Sequence, residues 1–204
     1  MEATSEPPAQ YYEKSEFIET HTGNKVGRKS ILCGSQNIRL HGKTVVMPGA
    51  MIRGDLGAVN VGKYSVIGRN VVIRPAHKRY QGSVAFFPVT IGDFVHIEED
   101  CIVSATSIGS YVHVGRGAVL GRHSVLKDCC WVEEGSVLAP GTVVPPFTIF
   151  GGSPAVQKGQ LPECFQEMQK EASLINYNTF LPQPDVVAAP ATTIATPATA
   201  LPAK

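Results

Sequence analysis

A period of six residues constrains this chain more than any other feature. Ile108, Val114, Leu120, Leu126, Val132, Leu138, Val144 and Phe150 stand at one fixed phase. The chain is 43% apolar, so chance fills eight such positions about once in a thousand trials at a chosen phase. A second column lies four residues after the first seven: Val112, Ala118, Ser124, Cys130, Ser136, Thr142 and Thr148, all small or β-branched. Upstream the same pattern recurs at Val61, Ile67 and Ile73, at Ile91, Ile97 and Val103, and as a fragment at Val46 and Ile52. Between Val103 and Ile108 the step shrinks to five.

An aliphatic residue followed four places later by a small one is a hexapeptide repeat, which predicts a mainly β chain: a single-stranded left-handed parallel β-helix. Three hexads make one triangular coil, the aliphatic side chain points into the prism, and the small residue sits at the corner. Residues 18 apart should stack, placing Ile73 on Ile91 and Val114 on Val132 and Phe150. The glycines that often follow the aliphatic, such as Gly62, Gly68, Gly109, Gly115 and Gly121, are expected at tight corners, where positive φ favours them. A helical alternative needs a 3.6 period and would lose about 1 kcal/mol at each glycine. A sandwich would show Asn-Gly or Asp-Gly hairpin turns, and none is evident.

The repeat divides the chain. Residues 1–10 and the Ala/Pro/Thr stretch 182–204 are expected to be disordered ends. The prism and its leading segment take 11–155, interrupted at Pro75–Ser83 by a polar, basic loop that projects from a corner, with Val84–Thr90 returning to the helix. Residues 156–181 hold a C-terminal helix. Its apolar stripe, Leu161, Phe165, Met168, Ala172 and Ile175, is expected to lie along a flank of the prism, with Pro162 in the first turn and Pro182 after the end.

Composition narrows the function classes. Lys+Arg number 18 and Asp+Glu 17, a net charge of +1. A general nucleic-acid binder needs surplus positive charge along one face, so none is expected. Apolar runs are too short to span a bilayer, and Met1–Gln10 carries Glu2 and Glu6 with no basic, then apolar, export signal. Five cysteines without a CxxC spacing read as reduced thiols rather than disulfides or a zinc knuckle. Cys101 and Cys130 fall in the small column, where packing accounts for them.

Two catalytic classes use hexapeptide prisms. The segment Val46–Leu56, including Arg53-Gly54-Asp55, resembles the γ-class carbonic anhydrases, in which that pair makes structural ion pairs and three histidines hold zinc between subunits. The paired histidines expected just before Ile108 are missing: the chain reads Val103-Ser-Ala-Thr-Ser107. His77 lies near the region of the first ligand but alone cannot hold a metal. His96 and His113 share one hexad position and should stack, facing outward; surface or interface residues are the plainer reading of them. Hexapeptide acyltransferases use a histidine base, and no histidine here sits in a context that ties it to that role.

Lys14–Thr20, Gly23–Val26, Ile31–Asn37, Ile52–Leu56, Val84–Pro88, His96–Cys101, Ile108–Gly115 and Val143–Thr148 together resemble the dynactin subunit 5 family over roughly residues 11–182, including the N-terminal segment and the loop that lie outside the repeat. The resemblance implies a non-enzymatic structural and cargo-adaptor subunit of the dynactin pointed-end complex, cytoplasmic and cytoskeleton-associated, with no metal or cofactor. The role so implied is support of dynein-driven transport of cargo such as early endosomes along microtubules. The partners so implied are dynactin subunit 6, itself a β-helix, dynactin subunit 4, the pointed-end actin-related protein, and cargo adaptors on early endosomes, without direct membrane insertion. Candidate partner contacts are Arg53, Asp55, His77, Lys78, Arg79, His96 and His113. A divergent γ-carbonic-anhydrase-like metalloenzyme and a hexapeptide acyltransferase remain the alternatives.

Overall fold

A computed structural model describes residues 9–80 and 82–184. The expected loose ends at 1–8 and 185–204 lie outside the described residues. Between them the chain winds into a parallel β-solenoid with three faces. The first face stacks six strands: Ile31–Cys33, Met51–Arg53, Val72–Ile73, Ile102–Val103, Val119–Leu120 and Val137–Leu138. The second stacks Ile38–Leu40, Val59–Val61, Val89–Ile91, Ser107–Ile108, Val125–Leu126 and Val143–Val144. The third runs from Lys25–Gly27 to Thr148–Gly152 and is closed at its ends by antiparallel strands Phe17–Glu19 and Ala155–Gln160. Those terminal strands cover edges that a parallel solenoid would otherwise leave open on this face.

The hexad aliphatics fill the prism as the period requires. Ile52, Ile73, Val103, Leu120, Ile97 and Val114 are fully buried, and each aligns with its counterpart on the next coil. Val114 lies on Val132, and Val132 on Phe150. The stack of Ile73 on Ile91 does not form. Ile73 pairs with Val103, while Ile91 pairs with Val61 and Ile108. The reason is an insertion. Residues after Ile73 leave the prism and return, so the coil that crosses this gap advances from Val61 to Ile91 instead of by 18 residues.

The inserted segment is a β-hairpin rather than an irregular loop. His77–Tyr80 pairs antiparallel with Ser83–Phe86, so Val84–Phe86 belongs to the projection and the chain rejoins the prism only at Val89. Phe87 anchors it, its ring meeting His123 edge-on at 5.0 Å.

The glycines after the aliphatics act through close approach, not through positive φ. The left-handed corners fall three residues after the aliphatic, and most are not glycine: Lys43, Tyr64, Asn70, Phe94, Asp100, Tyr111, His123, Cys129 and Phe147. Gly62, Gly68, Gly92 and Gly109 lack positive φ, but a Cβ on any of them would come within 2.6 Å of atoms on the next coil. Repeating one strained corner on successive coils aligns its side chains. Tyr64, Phe94 and Tyr111 stack nearly parallel, at 5.4 and 5.3 Å between ring centroids.

The C-terminal helix, α1, spans Phe165–Thr179, a run without Gly or Pro and rich in good helix formers. It is shorter than expected, because Ala155–Gln160 is taken by the closing strand. Its packed face also differs. Phe165, Gln169 and Ser173 are buried, one helical turn apart, whereas Met168 is 60% exposed and Ala172 is exposed. The helix docks on rings and carbonyls, which a polar face with one aromatic suits: Phe165 meets Trp131 edge-on at 6.1 Å, and Gln169 donates to the Phe94 carbonyl at 3.4 Å.

Both ends of the described chain are tied down. Gln10–Tyr12 pairs in parallel with Phe180–Pro182, so ordered structure reaches into both stretches expected to be loose. Tyr12, Phe17 and Phe180 pack as a small aromatic cluster beside the prism. Lys25 secures the junction. Only about 5% exposed, it donates to the carbonyls of Phe180 and Tyr177 and lies 4.3 Å from the Tyr177 ring centroid. Loss of hydration lowers its pKa, partly offset by Glu19. Lys25→Met keeps the stem but leaves those carbonyls without the ammonium. It is expected to lose about 2 kcal/mol and to speed hydrogen exchange of the α1 amides. Unchanged exchange there would show that Lys25 does not hold the helix.

Candidate interaction site

The residues singled out from sequence separate into two places. Arg53, Asp55, His77 and Arg79 gather around the hairpin. His96 and His113 lie on the third face, under α1.

Arg53 ends a first-face strand, and Asp55 follows in the turn Gly54–Leu56. The guanidinium grips the carboxylate through two bonds, Nε to Oδ1 and Nη2 to Oδ2, both 2.8 Å. Those bonds hold the Asp55 carboxyl below its usual pKa. The pair is partly exposed, so its net effect on stability is small. Next to it the register Ile52↔Ile73 sets Arg74 beside Arg53 on the following coil. The hairpin folds over this position, and a groove of about 300 Å³ opens between hairpin and prism. Arg53, Arg74, His77, Arg79, Val84 and Phe86 line it, with Leu56. Side chains alternate across a strand, which explains why His77 and Arg79 line the groove and Lys78 does not. Arg74 was missed in the sequence because its neighbour is set by a 21-residue register, Ile52 to Ile73, not by the 18-residue repeat.

The histidines stack as the hexad phase requires. His96 pairs with His113 in register, their rings 5.3 Å apart, and His113 lies nearly parallel to Trp131 at 3.9 Å. They point away from the prism but do not form a free outer surface, because α1 and Phe165 cover the column. The His113 side chain is 11% exposed, and Asn176 on α1 contacts His96 Nδ1 at 3.4 Å. Burial, with His113 nearby, lowers the His96 pKa to about 4 despite Glu98. Burial also lowers that of His113, while its contact with Glu98 Oε1 at 3.2 Å opposes the shift. Both rings are therefore neutral near pH 7. Beside His96 a cavity of about 320 Å³ runs toward Gln10 and Phe180, lined among others by Met47, Val66, Arg69 and Glu98.

His77 is not part of this column. Its carbonyl accepts from, or lies against, His123 Nε2 at 3.3 Å, and its ring meets Phe86 at 5.7 Å. Among the described residues, no three His, Cys, Asp or Glu side chains come together in a way that could hold a metal ion. Burial pushes the Cys101 thiol up to about 11 and the Cys130 thiol to about 12, leaving almost no thiolate near pH 7. Among the described residues no helix is long and apolar enough to cross a membrane.

Comparison with known proteins extends these observations. A family model described as Dynactin subunit 5 matches residues 6–186. Dynactin subunit 5 of Dictyostelium discoideum is 49% identical over 172 residues, covering 84% of this chain and 87% of that protein. The mitochondrial gamma carbonic anhydrase 2 of Arabidopsis thaliana is 29% identical over 107 residues, 52% of this chain but 38% of that one. Among solved structures, a hexapeptide transferase family protein from Anaplasma phagocytophilum superposes with a TM-score of 0.59 at 22% identity, covering 76% of this chain and 88% of that one. That likeness concerns the solenoid alone.

Proposed function

The chain belongs to the dynactin subunit 5 family, and on that footing we propose that it is a non-enzymatic structural subunit of the dynactin pointed-end complex, where it contributes to cargo attachment. The observation that carries this reading is a match that extends beyond the repeat. It includes the N-terminal segment, the hairpin and α1, which generic hexapeptide prisms have no reason to share.

The arrangement of residues supports an assembly role over a catalytic one. The position where a γ-carbonic anhydrase carries its histidine pair holds Val103-Ser-Ala-Thr-Ser107, and Arg53 and Asp55 keep an ion pair that needs no metal. His96 and His113 are occupied by α1. In this reading the neighbours are dynactin subunit 6, dynactin subunit 4 and the pointed-end actin-related protein, and the assembly carries cargo such as early endosomes in dynein-driven transport. The protein then works in the cytoplasm.

Affinity purification from the cells that make it is the test. The chain is expected to co-purify and co-sediment with the other dynactin subunits. Recovery of the whole pool as a free chain would overturn the proposal.

A further inference from the structure

We infer that the groove between the hairpin and the first face is a docking site for an acidic segment of a partner protein, one that also carries an apolar side chain. The inference rests on the reading of the chain as an assembly subunit and names the chemistry of one partner contact.

Three observations meet there. The first is unbalanced charge. Arg53 and Arg74 sit side by side on adjacent coils, and Arg79 reaches in from the hairpin. Asp55 occupies Arg53, while Arg74 and Arg79 have no carboxylate partner among the described residues. Stacked like charges repel at strand spacing, and an incoming carboxylate relieves that repulsion. The second is geometry. The Arg53–Asp55 fork shows the bidentate mode in which an arginine at this place takes a carboxylate. The third is exposed apolar area on the same walls. Val84 and Phe86 are 48% and 39% exposed and face the groove with Leu56. A lone phosphate or a polyanion would leave that area wet, whereas a peptide alternating acidic and apolar side chains satisfies both surfaces.

The test uses the full chain and a short fluorescein-labelled peptide of alternating Glu and Leu, followed by anisotropy at low and high salt. Binding is expected to weaken as salt rises. Arg74→Gln and Arg79→Gln should each lower affinity about tenfold, while Lys170→Gln on α1 should not. Both arginines are exposed, so unchanged circular dichroism and melting are expected to accompany the loss. A Gln-for-Glu peptide that binds equally well, no binding of the acidic peptide, or insensitivity to Arg74→Gln would overturn the inference. So would vesicles containing phosphatidylserine that displace the peptide with the same dependence on Arg74, since the groove would then read an anionic surface. Co-purification of the wild-type chain with dynactin is scored separately, so loss of the assembly role and loss of the peptide site are distinguishable.

Discussion

Gly62→Ala is expected to destabilise this protein by roughly 3 kcal/mol, a drop in melting temperature of about 10 °C for a chain of this size. Gly62 directly follows Val61, one of the buried aliphatics, and its amide donates to the Ile91 carbonyl on the next coil at 2.9 Å. A Cβ at this position would sit 2.4 Å from the carbonyl carbon of Gly92 and 2.4 Å from Oδ1 of Asp93. Neither neighbour can yield cheaply. The Gly92 carbonyl accepts from the Ser65 hydroxyl at 3.0 Å, and Asp93 Oδ1 accepts from the Lys63 amide at 2.6 Å. One methyl group therefore forces two coils apart where the ladder holds them at strand spacing. Gly117→Ala is the paired control. Gly117 sits at a left-handed corner, φ +66°, with open space around its missing Cβ, so alanine there should cost only about 1 kcal/mol of backbone strain. Equal losses in urea titrations of the two variants would show that close approach is not what the hexad glycines provide.

The contrast between those glycines marks where the sequence is legible. The aliphatic column is visible because each member is buried at one phase, and burial selects Ile, Leu and Val strongly. The corner is not, because Tyr64, Phe94, Tyr111 and Phe147 adopt positive φ against their own preference, and only the surrounding coils hold them there. Glycine then stands out in the sequence for a reason that propensity does not describe: its backbone touches the next coil. The hairpin is hidden for a related reason. His77-Lys78-Arg79 carries no apolar alternation, and Val84 and Phe86 face the groove rather than a core. The helix is visible as a 3.6 period, but its docking face is not, since polar Gln169 and Ser173 are buried, Gln169 against the Phe94 carbonyl, while Met168 remains outside.

The candidate site follows the same division. Arg53 and Asp55 are two residues apart, so a motif reveals them. His96 and His113 share a hexad phase, so their stacking is visible, but the helix that covers them is 52 residues beyond His113 at Phe165 and no periodicity connects the two. Arg74 joins the groove only through the Ile52↔Ile73 register. Each extra residue inserted between coils changes which side chains become neighbours, and the number inserted varies from coil to coil.

Acid should loosen the protein through the histidine column, and the expected size is set by His96. Its folded pKa, about 4 against the ordinary 6.5, is depressed because protonation would place charge under α1 beside His113. A depressed value means that the unfolded chain binds the proton first. Stability is thus fully present above pH 6.5 and is lost as the pH falls toward 4. At pH 4.5 the loss from His96 alone is roughly 2–3 kcal/mol. His113 adds to it in the same direction, its own pKa being lowered by burial although Glu98 opposes the shift. Around the pair stand Glu98, Glu99, Arg69 and Arg116 on the prism and Asn176 on the helix. Acid acts on the rest of the protein as well, so wild type alone does not isolate the effect. His96→Phe does: it fills similar space and cannot titrate. Urea titrations at pH 7 and 4.5 are expected to give a difference smaller by roughly 2 kcal/mol in the variant, with near-wild-type stability at pH 7. An identical acid loss in both proteins would mean that the column is already solvated in the native state, and that α1 does not seal it.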